Sequence, residues 1–194
     1  MAKRKKVDFK PDRRSISLPK VFHLTQVQRS QLLKWGLYIL TIVLLLTIQD
    51  VIMSRIRIFG STTDLAVCAI LLVTVMEGVD VGSVFVLIAS TLYYFSGSSP
   101  GPYCIVLMSF IGIAATLFRQ AWLHRNKISI VITAGAALTL YELGLFVVGL
   151  FMGLTRWGRL GAFLVTGGLS WAVMVPLYSL IYKIGLIGGN TWKE

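Results

Sequence analysis

Glu142 lies midway along the apolar run LTLYELGLF, where an ionised side chain is costly. A carboxylate at that depth must face protein, water or a partner. Two roles fit it: an ion-coupling or partner-contact site, or a structural hydrogen bond to a neighbouring helix from Tyr93, Tyr94 or a Ser/Thr hydroxyl. Asp50 and Asp64 fall nearer a boundary, where Arg55 or Arg57 would neutralise them, and Asp64 is placed to cap a helix. Hydrolytic and metal chemistry lack their parts. His23 and His124 lie outside the apolar runs, so no intramembrane Ser–His pair can form. No H-E-x-x-H, paired-cysteine metal site or glycine-rich phosphate loop occurs. The expectation is a protein that is not an enzyme and needs no cofactor or metal. Cys68 and Cys104 read as small buried hydrophobes; a disulfide between them is conceivable, but nothing in the sequence requires it.

Small residues form the second signal. Gly78/Gly82 and Gly149/Gly153 have G-x-x-x-G spacing, with Gly112/Thr116 and Thr133/Ala137 as weaker relatives. Such spacing lets helix backbones approach closely, and packing in lipid relies on that contact because hydrophobicity does not drive it. Internal bundle packing is the default use; docking another protein's transmembrane helix is the alternative.

The elements that must position these residues are read from the charges. Between Trp35 and Gly188 there are only 13 Asp, Glu, Lys and Arg residues in 154 positions, and they are clustered. The stretches between clusters approach the roughly 20 residues a helix needs to cross a bilayer. With 56% hydrophobic residues and a mean hydropathy of +0.77, the chain is too apolar for a soluble domain. Its apolar runs are continuous, which excludes the short alternating segments of a membrane barrel. The predicted fold is therefore an all-α membrane protein, a six-transmembrane-helix bundle. Its spans are about 35–53, 62–76, 81–95, 103–118, 128–154 and 160–182. Ser96–Pro102 is the clearest loop, Pro176 is a candidate kink, and Trp35, Tyr103, Trp122 and Trp157 are interfacial anchors.

The net charge of +11 is concentrated in one tail: residues 1–34 hold ten Lys and Arg, including Lys3, Arg4, Lys5, Lys6, Arg13 and Arg14. No aromatic-interleaved basic face accompanies them, so no nucleic-acid role is expected. They suit a largely disordered cytoplasmic segment, with a short amphipathic helix over 21–34, beside the anionic headgroups of a lipid bilayer. The next apolar run reads as a retained signal anchor. Placing the N-terminus inside puts 15 basic residues in, Arg119, Arg125 and Lys127 among them, against four outside. Residues 189–194 form a cytoplasmic C-terminus.

Residues 64–125 resemble the MreD family of bacterial rod-shape-determining proteins. The matching residues are Asp64-Leu65 opening a span, Glu77-Gly78 with Gly82 at a turn, Ser96-Gly97 with Gly101 in a loop, then Gly112 and Arg119. The family often carries an aspartate before the S-G loop, where this chain has Tyr93, and the basic tail is longer than the family's. The resemblance implies a non-catalytic inner-membrane component of the cell-elongation machinery. Such proteins pair with a bitopic MreC-like protein. Together they link MreB filaments to a RodA-type glycosyltransferase and a class B penicillin-binding transpeptidase. Docking is expected on the outer half of the bundle, with Gly97, Gly101, Gly149 and Gly153 shaping the surface. The alternative is a substrate-binding membrane subunit of an energy-coupling-factor vitamin transporter, a fold that MreD proteins resemble. That group typically carries an A-x-x-x-A face on its first span, and Trp35–Met53 contains no alanine.

Overall fold

A computed structural model describes residues 26–53, 62–123 and 126–187. The basic cluster Lys3–Lys6, Arg13, Arg14 and Arg125 lies outside them. The described chain is all-helical: α1 (Gln26–Ile48, continued by a π-helical turn Gln49–Met53), α2 (Leu65–Glu77), α3 (Val79–Phe95), α4 (Tyr103–Trp122), α5 (Lys127–Phe151) and α6 (Leu160–Ile187, entered through a 3₁₀ turn Trp157–Arg159). Four stretches are long and apolar enough to cross a membrane: Val27–Ile52, Tyr103–Trp122, Lys127–Phe151 and Trp157–Ile187. The apolar helices α2 and α3 are shorter.

The short α2 is the centre of the molecule. Every residue from Leu65 to Met76 is buried, packed by α3, α4, α5, α6 and α1. A helix apolar all round is what an interior position demands. At 1.5 Å per residue α2 is about 20 Å long, some 10 Å less than a typical hydrocarbon core. Its C-terminal end is pinned by Glu77, whose Oε2 accepts from Lys34 Nζ at 2.7 Å and whose Oε1 accepts from Tyr38 Oη at 2.8 Å. With that end fixed, the other end starts deep inside the bundle.

Gly78 makes the reversal into α3 with a single residue at φ +96°, a conformation only glycine adopts cheaply. One turn later Gly82 lets α3 close onto α2: a β-carbon there would stand 2.5 Å from the Thr74 carbonyl oxygen. Gly112 of α4 meets Val86 and Thr74, where a β-carbon would lie 3.1 and 3.4 Å away. Gly82 and Gly112 are thus internal packing positions, whereas Gly78, paired with Gly82 by spacing, is the turn residue between the two helices.

The Gly149/Gly153 pair is different. Gly153 lies past the end of α5 at φ +70°. Leu154 N–H donates to Gly149 O at 2.8 Å, and Gly153 N–H donates to Leu150 O at 3.1 Å. That is a Schellman cap, not a helix-docking face. Gly153→Leu is accordingly expected to lower stability by about 1–2 kcal/mol through the left-handed backbone alone. Thermal unfolding in detergent would show this, with partner co-purification unchanged. Gly97 plays a related role after α3, at φ +80° with its N–H on Tyr94 O, and Gly101 sits against the Tyr103 ring.

Three boundaries differ from the sequence reading. Of the helix expected over 21–34, residues 26–34 are the first turns of α1, continuous with the first span, and 21–25 lie outside the described residues. Helix α4 continues to Trp122, and Arg119, expected at the membrane surface, is buried in the protein at 1% exposure. Helix α6 runs through Pro176 without a break and on to Ile187. Lys127 is exposed as expected, its ammonium 5.6 Å from the Tyr182 ring centre.

Candidate functional site

The deep start of α2 leaves a cavity of about 600 Å³ at the end of the bundle that carries the 96–102 loop. Four elements shape it. Helix α5 contributes Glu142 and, three residues on, Leu145 from the same face. Helix α6 contributes Ala162, Phe163 and Thr166 below Arg159 of the preceding turn, again at helical spacing. The last turn of α3 and the connection after it contribute Tyr93, Ser98 and Pro100, and Thr62 and Asp64 close the side nearest α2.

Asp64 is half-buried and Glu142 is 4% exposed. Both line the same cavity. The neighbour of Glu142 is therefore a second acid. The Tyr93 hydroxyl, anticipated as its donor, points at the Ser98 carbonyl at 3.5 Å, and Tyr94 packs on Phe95. Glu142 Oε1 is buried and makes no hydrogen bond among the described residues, and the buried Tyr141 hydroxyl also makes none.

Asp64 is held from two sides. Gln49, in the π-helical turn ending α1, donates from Nε2 to Asp64 Oδ1 at 3.1 Å, and its Oε1 accepts from Ala66 N–H at 3.0 Å. Gln49 thus supplies the cap at the start of α2; the Asp64 side chain does not bond its own helix. Ser170 of α6 accepts from Asp64 N–H at 3.1 Å. Local widening into a π turn rotates Gln49 inward, to 8% exposure, and π turns recur at functional sites. Asp50, the next residue, accepts from the Ser98 hydroxyl and so ties α1 to the loop at the cavity rim. Arg55 and Arg57, expected to neutralise these acids, lie outside the described residues.

Sequence reasoning picks out Glu142 and Asp64 separately, but neither their pairing nor Gln49. It also misses Gly135, whose β-carbon would stand 2.3 Å from Trp171 and whose carbonyl accepts from Trp171 Nε1 at 2.9 Å. Cys68 and Cys104 are both buried free thiols. Among the described residues no group of three or more His, Cys, Asp or Glu is arranged to hold a metal ion. No family model, curated protein or solved structure matches the chain.

Proposed function

We propose that this chain is a non-catalytic scaffold of the MreD type in a bacterial cytoplasmic membrane, with six helices crossing and both termini inside. It regulates cell shape and peptidoglycan synthesis by docking an MreC-like bitopic protein. Through that partner it engages a RodA-type glycosyltransferase, a class B penicillin-binding transpeptidase and MreB filaments. The observation that carries the reading is how residues 64–125 are used. Of the residues that carry the resemblance, Gly78, Gly82 and Gly112 set the α2–α3 turn and the packing of α2, α3 and α4, while Asp64 and Glu77 tie the two ends of α2 to α1. That use of the motif residues is what supports the resemblance.

The crossing of α2 and α3 is supported by the Lys34–Glu77 pair, which brings the α2–α3 turn to the level where α1 enters the apolar layer. The groove between α1 and α3 would take one or two side chains of a partner's helix laid against it. Trp35, Ile39, Ile42, Val84, Phe85 and Ile88 line it, with a volume of about 240 Å³. Association in lipid depends on such close packing.

The test is depletion in a rod-shaped host. Rounded cells, together with loss of the bitopic partner from pull-downs of Ile88→Trp, are the expected result. Unchanged rods, or a vitamin co-purifying with the protein, would overturn the scaffold reading.

A further inference from the structure

The cavity above α2 has a use that scaffolding does not require. Its walls bring opposite charges to one space: the carboxyls of half-buried Asp64 and buried Glu142, and the exposed Arg159 at the start of α6. The interior end is built. Asp64 is fixed by Gln49, and Glu142 is only 4% exposed, with Oε1 lacking a hydrogen-bond partner among the described residues. An acceptor left in that state in a low-dielectric interior is costly unless a donor reaches it. The volume, about 600 Å³, falls within the range of small-molecule sites. Phe163 and Leu145 supply apolar wall, and Ser98 and Thr166 supply hydroxyls.

We propose that this cavity binds a small zwitterion, its ammonium group on the Asp64–Glu142 carboxyls and its anionic group on Arg159. An ammonium group brings three donors to a pair of carboxyls, and a guanidinium suits a carboxylate or phosphate bidentately. The same chemistry comes from two sources: a soluble solute of this class, or the headgroup of a phosphoethanolamine lipid.

Isothermal titration of the purified full chain in phosphatidylcholine nanodiscs would test it, using O-phosphoethanolamine and ethanolamine as probes. Saturable binding of both is expected, with O-phosphoethanolamine the tighter. Glu142→Gln should weaken both probes by roughly tenfold or more, the loss of a charge-assisted hydrogen bond. Arg159→Gln, at an exposed position, should bring O-phosphoethanolamine down to the level of ethanolamine. Repeating the titration in phosphatidylethanolamine discs separates the sources. Competition there identifies the lipid headgroup, and unchanged affinity identifies a soluble ligand. Absence of saturable binding by either probe to monodisperse protein would overturn the proposal, as would wild-type affinities in both variants.

Discussion

Lys34→Ala is expected to cost the bundle about 3–5 kcal/mol, the penalty typical of breaking a buried ion pair by removing one partner. Lys34 and Glu77 side chains are only 8% and 5% exposed, and their charged atoms are 2.7 Å apart. Removing the ammonium strips a buried carboxylate of its counter-charge and leaves it the Tyr38 hydroxyl as a donor. It also removes the cation 5.1 Å from the Trp35 ring centre. The effect reaches beyond α1, because this pair fixes the C-terminal end of α2 and α2 is the core. The double variant Lys34→Met/Glu77→Leu should recover most of the loss, since a buried pair is worth little against apolar side chains of similar size. Unfolding of the four proteins of this cycle in one detergent would decide. Additive losses in the double variant would refute the pairing.

Gly82→Ala is the second large effect. Its new β-carbon would stand 2.5 Å from the Thr74 carbonyl oxygen, and 3.2 and 3.3 Å from Thr74 C and Cα. Those are backbone atoms inside α2, so the clash is relieved only by separating two helices. Overpacking typically costs about 1–3 kcal/mol, and a rigid neighbour places this site at the upper end. Gly135→Ala should approach it, because the Trp171 ring must move and its hydrogen bond to Gly135 O breaks with it. Gly36→Ala and Gly168→Ala meet nothing within 4 Å and should leave stability unchanged or slightly raised. Equal unfolding midpoints for the Gly82 and Gly36 variants would contradict the tight α2–α3 crossing.

The part of the fold legible in the sequence is the part encoded locally. Clustered charges mark the break at Glu77–Asp80, and the Gly, Ser and Pro run marks the one at Ser96–Pro102. Gly82 is legible as a packing position from its spacing, and Gly78 as the turn residue from the acidic, glycine-containing break around it. The same i, i+4 spacing misleads at Gly149 and Gly153, where it belongs to a helix cap. The residues beyond each pair separate the two cases: Leu154-Thr155-Arg156 leaves the apolar run immediately after Gly153. Arg119 reads as a membrane-surface residue because a charge ordinarily ends a span, but its helix runs on to Trp122 and the side chain is buried in the protein.

The candidate site is half visible. Glu142 is conspicuous as an acid in an apolar run, whereas its partner Asp64 reads as an ordinary helix-start residue. Pairing between residues distant in the chain leaves no periodic trace, and the same holds for Lys34 with Glu77. Gln49 is hidden for another reason. Its inward turn depends on a π-helical widening that no local composition announces.

The central claim, that all six helices cross and α2 and α3 are not a hairpin dipping in and out on one side, is tested most directly by sidedness. Single cysteines at Asp80 and at Ser98, in cells or oriented vesicles, would be treated with a membrane-impermeant maleimide from each side; the native Cys68 and Cys104 are buried. Asp80 is exposed at the α2–α3 turn, and Ser98 lies in the loop after α3. The six-helix account predicts labelling of Ser98 from outside only and of Asp80 from the cytoplasmic side only. Labelling of both from the same side would contradict it.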